Sequence, residues 1–504
     1  MIVTCRTQSQ ESRFERFDSV EVADFNEPQV RAFAEHWFQT VCGDLTVGQA
    51  KATAFLDHLF REENKAILEL AITPILLSLT SAVFQQTGKF YSKRSKLYEE
   101  GLELLLEQWD KSREIERDEV YRDLSVERKL ELLSYLAVKK FEQEQYVLFE
   151  QAEIEGYIEE FLGIGLRESR GVLRAIESQH GLLIERARGI YSFSHLTFQE
   201  YFTARKISKQ EDLQYSFLTH ITENRWREIF LLIVGMIEST DSLLEMMKDQ
   251  IDRLLCGDKR LQNFLAWIYQ KSRSIPLQTH HKPAAIRSLY FELSSALELA
   301  LELAIRRKLS SALDSVHGPP QAKFNCILNH DIDRAIDLDL ELTTNIGCTI
   351  NIDYIIDTDI NCIRIIALTT ALAIDPDCDI GILLASQASE YLNHVIASIS
   401  IEQLDWQKTL KNLKDQMPTP GNSDQFWQWW KSSGTDWIEE LRAATIVYCN
   451  IGHDWKFTEA QKQQLRQYYK ANMLLISCLN SDCRLSCEVR EKIEATLLLP
   501  VTTP

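Results

Sequence analysis

The chain has 504 residues, 45% hydrophobic and 26% charged, ordinary globular proportions that allow several buried cores. Its net charge of −19 excludes general nucleic-acid binding, because Lys and Arg that neutralise phosphates supply most of that affinity. The 11 cysteines are scattered, odd in number and often set in apolar runs, which excludes a disulfide framework and points to reduced thiols in a cytoplasmic protein. The densest cysteine cluster, Cys478, Cys483 and Cys487, fits no common zinc spacing and has no nearby His, so no metal is expected in this chain. No signal-peptide layout opens it, and no uncharged apolar run reaches about 18 residues, so no membrane span is expected.

In chain order, "MIVTC" reads as a buried strand and "SVEVADF" as a second. Over "EPQVRAFAEHWFQ", Pro28 near the start and the spacing of Val30, Phe33, Ala34, Trp37 and Phe38 predict a helix. Strand then helix suggests an α/β unit with too few strands to stand alone, so the chain reads as cut at its front. From about Gly48 to Asp110, apolar residues three and four apart predict helices. Pro74 either ends one of these or opens the next, with Thr73 as its N-cap.

"LSVERKLELLSYLAVKKFEQ", "EQAEIEGYIEEFLG" and "ESRGVLRAIESQHG" predict three more helices, and "LLIERARGIYSFSH" two short strands around a turn at Gly189. Helices followed by a small hairpin fit a winged helix. Thr197 and Glu200 form a T-x-x-E capping box, which predicts the next helix from about Phe198 to Ile207. Beyond Lys209 nearly everything reads as helix. In the Ile/Asp-rich region 326–380, strand alternation and degenerate helical repeats both fit, and the flanking helices favour repeats. Its aspartates lack the Gly-punctuated spacing of a calcium loop. The Trp and Tyr of the terminal helices are expected in the core.

One stretch carries chemistry. His195 lies where the aromatic hairpin meets a helix start, whose free amides and macrodipole favour anions. Ser192, Ser194 and Thr197 add hydroxyls. These residue types suit an anion site, and equally a packed histidine beside capping hydroxyls.

"YSFSHLTFQEYFTARKI" resembles the winged-helix end of NACHT-type signal-transduction NTPases of the STAND class, whose animal counterparts are inflammasome receptors. The resemblance implies that His195 hydrogen-bonds the β-phosphate of bound ADP and holds a closed, inactive form. "VTCR" and the segment after it resemble the sensor-1 strand, which makes Arg6 the sensor arginine near the γ-phosphate. "TPILLSLTSAVFQQ" resembles the first helical domain, where Pro74 matches the proline that contacts adenine. From "AIRSLYF" onward the chain resembles the helical C-terminal domain of cyanobacterial members. The implied fold is mainly α: a remnant of an α/β nucleotide-binding domain over 1–47, a helical domain over 48–115, a winged-helix domain over 116–208, a helical linker over 209–275 and a C-terminal α-helical array over 276–504.

The departures from the family pattern lie in the nucleotide site. No G-x-x-x-x-G-K-[ST] occurs, and "GIGLRESRG" offers Gly163, Gly165 and Gly171 without a lysine. No apolar strand ending in paired acids precedes "MIVTCR". Phosphoryl transfer depends on such positioning, so no ATP hydrolysis by this chain alone is expected. ADP or ATP would bind only with a front half supplied, either lost from a truncated product or encoded as a separate NTPase polypeptide. Two functions compete. One is a nucleotide-controlled switch component in signalling, implied by resemblance to extend to antiphage defence, with a protein effector or sensor ligand and homo-oligomers as partners. The other is a nucleotide-independent helical interaction module or relic. A DNA-binding winged helix ranks third, because the acidic total and the Phe/Tyr-rich hairpin oppose the basic "RKLELLSYLAVKK" and "RARG".

Overall fold

The structure, a computed structural model, describes residues 25–61, 64, 68, 71–72, 74–88, 94–112, 121, 124–177, 182–275, 282–294, 354–374, 381–399, 403–419, 423–481 and 483–501. The two expected strands fall almost wholly on residues 1–24 and, with Arg6, lie outside the described set. The chain divides into two compact units: residues 1–217, 225–238 and 481–484 form the first, and residues 218–224, 239–480 and 485–504 the second.

The first unit opens with α1 (Glu27–Cys42), which starts where the sequence places it. Asn26 Oδ1 accepts from Gln29 N at 3.0 Å, and Gln29 Oε1 accepts from Asn26 N at 2.9 Å, a reciprocal cap. Val30, Ala34 and Phe38, four apart, form its buried face. Asp44 caps α2 (Leu45–Leu59). The two helices cross so closely that a Cβ at Gly48 would stand 2.6 Å from Gln39 Cα, so only glycine fits there. Phe38, Phe55 and Phe84 close a ring cluster with α3 (Pro74–Thr87). Next comes α4 (Arg94–Ser112).

Then α5 (Val126–Phe141), β1 (Phe149–Glu150), α6 (Gln151–Leu162), α7 (Leu166–Ala175), β2 (Leu183–Ala187) and β3 (Ile190–Phe193) succeed one another. This is the element order of a winged helix. The sheet runs β1-β3-β2, antiparallel throughout, with Phe149 opposite Tyr191 and Leu183 opposite Phe193. The hairpin turns at Gly189, whose φ of 74° is left-handed, as the sequence suggests. The short strand β1 was not foreseen, since two residues carry no readable period. Of "GIGLRESRG", Gly163 to Gly165 make the corner between α6 and α7 and the rest is in α7, where Glu168 returns its carboxylate to Gly165 N at 3.0 Å. Helix α8 (Leu196–Ser208) follows. The first unit also contains α9 (Glu211–Ser216) and α10 (Arg227–Met236), which packs on α8 and α4.

The second unit holds α11 (Asp241–Cys256), α12 (Lys259–Ser274), helical residues 283–294, α13 (Tyr354–Ile374) and α14 (Gly381–Ser398). It ends in α15 (Leu404–Gln416), α16 (Ser423–Cys449), α17 (Glu459–Asn480) and α18 (Cys487–Thr496). Helix α13 makes that part of the Ile/Asp-rich region helical, with Ile360, Ile363 and Ile366 buried; residues 326–353 and 375–380 lie outside the described set. Of the terminal-helix aromatics expected in the core, Trp430, Trp437 and Tyr468 are buried, whereas Trp427, Trp429 and Tyr469 are half-buried. Three side chains on α12 hold the end of α16 and the chain that follows it. Arg260 donates to Lys456 O at 2.6 Å, Trp267 to Asn450 O at 2.9 Å and Lys271 to Cys449 O at 2.6 Å. The bonds to Cys449 O and Asn450 O satisfy carbonyls at the helix end, and Lys271 brings a cation to the negative end of its dipole.

Candidate functional site

The corner between β3 and α8 differs from the sequence expectation. Helix α8 begins at Leu196, not Phe198, and His195 rather than Thr197 is its N-cap, with φ −135° and ψ 142°. The His195 side chain makes no capping hydrogen bond, and Phe198 N donates to His195 O at 3.2 Å. Thr197 is drawn into the first turn, and its Oγ1 is buried without a hydrogen-bond partner. Tertiary packing overrides the capping-box pattern here, because starting the helix earlier seats Phe198, Tyr201 and Phe202 in the core. The half-buried imidazole of His195 meets Phe198 edge-on, with centroids 6.1 Å apart.

Arg186 holds this corner. Its guanidinium donates to Ser192 Oγ at 2.9 Å and to Ser194 O at 3.0 Å, while Ser194 N donates to Leu182 O at 2.8 Å. Ser192 Oγ in turn donates to Phe193 O at 2.8 Å, so this hydroxyl is engaged by its own strand. Arg186 was not singled out from the sequence. It stands at the register break between Glu185 and Ala187, and such a bulge re-aims a side chain in a way that counting alternate residues cannot show.

The body of α8 is tied down on several sides. Gln199 Nε2 donates to Tyr146 O at 2.6 Å, and the Tyr201 ring stacks on Tyr98 of α4 at 5.3 Å. At its far end Arg205 and Lys209 bond Glu127 at 2.7 and 2.8 Å. The Lys209 bond first, then that of Arg205, holds the Glu127 carboxyl below its ordinary range. Glu200 moves the opposite way: burial, and then the nearby Glu228, push its carboxyl up to about 8. It is therefore mostly uncharged at neutral pH.

Pro74 is the first residue of α3 and is exposed. Its missing N–H costs nothing at that position; Thr73, the expected cap, lies outside the described residues. Helix α3 packs on α4, and α4 packs on α8, so α4 links the helix that Pro74 opens to the helix that His195 caps. Arg6 lies outside the described residues. Among the described residues, no group of three or more His, Cys, Asp or Glu is placed to hold a metal ion, and no helix is long and apolar enough to cross a membrane.

A family model described as the winged helix-turn-helix domain C-terminal to NACHT matches residues 94–207, from the start of α4 into the last turn of α8. Another, described as NACHT C-terminal helical domain 2, matches residues 406–500, which take in most of α15 and all of α16, α17 and α18. Comparisons with curated proteins and with solved structures gave no match. With a wing built from β1, β2 and β3, and α15 to α18 toward its C-terminal end, the chain carries two domains of the kinds that lie C-terminal to NACHT.

Proposed function

We propose that the start of α8 is the phosphate-reading element of a NACHT-type nucleotide switch. The observation that carries this reading is the geometry of the helix start: His195 occupies the N-cap, its side chain makes no capping hydrogen bond, and the ring is half-buried at that start. Such a terminus offers N–H donors and positive potential to an anion, and the imidazole adds a donor. A buried Thr197 Oγ1 without a partner lies in the same turn. The neutral Glu200 carboxyl spares an approaching diphosphate one repulsive charge. In this reading Pro74 contacts adenine, Arg6 lies near the γ-phosphate, and ADP holds the helical arms closed. Exchange for ATP frees them for homo-oligomerisation and for a protein effector. A defence role against phage belongs to the same proposal.

The sequence contains no G-x-x-x-x-G-K-[ST], so the phosphates would be cradled by an NTPase module joined to these domains or supplied as a separate chain. The test supplies such a module to the full chain and measures ADP retained after gel filtration. His195→Ala is expected to lower ADP affinity roughly 10- to 100-fold, the worth of a hydrogen bond to a charged group. Unchanged retention would remove His195 from the switch and favour a nucleotide-independent helical interaction module.

A further inference from the structure

In the second unit, α12, α13 and residues 283–294 meet at the end of α16. Lys271 is almost fully buried there and donates both to Cys449 O at 2.6 Å and to Asp359 Oδ2 at 2.7 Å. Tyr290 OH donates to the same carboxylate oxygen at 2.6 Å. Asp359 stands one turn before Cys362 on α13, so the Lys271 bridge holds this stretch of α13 against the last residue of α16. A second contact lies one turn beyond Cys362: a Cβ at Gly452 would stand 2.7 Å from Ile366 Cδ1. Cys362 stands between these two contacts, on the face of α13 that meets Cys449 and Gly452. The Cys449 thiol, and then burial, push the Cys362 thiol well above its ordinary range. Cys362 is buried, whereas Cys449 is half-exposed.

We propose that Cys362 and Cys449 form an oxidisable dithiol that peroxides close to a disulfide, with Cys449 as the attacking sulfur. The asymmetry assigns the roles. Only Cys449 reaches solvent, so it is the sulfur that peroxide meets first. The Cys449 thiolate attacks one oxygen of hydrogen peroxide; the O–O bond breaks, and the departing hydroxide takes up a proton to leave as water. The sulfenic acid so formed is attacked by the Cys362 sulfur. The S–O bond breaks, and the leaving hydroxide takes the Cys362 proton as a second water. Two thiols lose two electrons and one peroxide gains them. The product links α13 covalently to α16 inside the C-terminal helical array.

The test uses the full chain. Reduced protein is treated with hydrogen peroxide, unfolded, alkylated, digested and examined by mass spectrometry, with the exposed Cys487 as an internal control. A peptide joining Cys362 to Cys449 is expected, with both residues lost to alkylation in step and recovered on reduction. In Cys449→Ser, Cys362 is expected to stay fully alkylatable while Cys487 oxidises as before. Wild-type chain in which Cys487 is oxidised but Cys362 remains a free thiol, or joins another cysteine, overturns the proposal. That readout is made on the wild-type fold, so it does not depend on the variant being stable.

Discussion

The guanidinium of Arg186 reaches across the wing to the carbonyl of Ser194, 3.0 Å away, and fixes the corner from which His195 begins α8. Charge-assisted bonds of this kind contribute about 1.5–3 kcal/mol. Arg186→Ala is expected to lower stability by about 1–3 kcal/mol in urea unfolding. It should also raise hydrogen exchange at the first amides of α8 more than at its C-terminal end, which Arg205 and Lys209 hold through Glu127.

His195 is a poor cap kept at a capping position. Ser, Asp and Asn close the first amides, whereas this imidazole does not. His195→Ser is expected to raise stability by about 0.5–1 kcal/mol, seen as a higher urea midpoint with unchanged slope. The same change should weaken ADP retention by the reconstituted switch. Opposite movement of the two quantities separates a sensing histidine from a structural one.

The Glu200 carboxyl is pushed up to about 8 in the folded chain, above its ordinary value of 4.5. Between those values the folded state holds a proton that the unfolded state has released, so this group makes stability fall as pH rises from about 4.5 to about 8. Glu200→Gln removes that penalty. The melting temperature of the variant should exceed that of the wild type at pH 8 to 9, and the two curves should converge near pH 4. Equal pH profiles would show that Glu200 is ionised in the fold.

Lys271 and Asp359 are 5% and 2% exposed. Removing one member of such a pair leaves a buried charge and costs about 3–5 kcal/mol. Lys271→Met is expected to destabilise the second unit by that amount in calorimetry. Adding Asp359→Asn should recover part of it, because the stranded charge disappears while Tyr290 OH keeps an acceptor.

Much of the fold was legible because its signals are local. The helix start marked by Pro28, the spacing of Val30, Ala34 and Phe38, and the turn at Gly189 are decided by residues within one or two turns of each other. Over 354–374 the Ile/Asp-rich region forms a single helix, and from Asp359 to Thr369 it is buried on nearly every face, so burial there leaves no periodic stripe to read. At the candidate site the sequence singled out His195 with the hydroxyls of Ser192, Ser194 and Thr197. The supporting arginine was hidden by a bulge, and the cap was misassigned to Thr197, because T-x-x-E is also compatible with a threonine drawn inside the first turn.

By itself, then, the sequence determined the helices, the wing and the family-like run through His195, since backbone propensity, capping and side-chain period act over a few residues. The tertiary structure alone decided that Gly48 must admit a neighbouring helix, that Arg186 grips the corner before α8, and that Lys271 draws Asp359 and Cys449 together. Those contacts join residues far apart along the chain. Their energy comes from burial and from satisfying stranded polar groups, which no local pattern encodes.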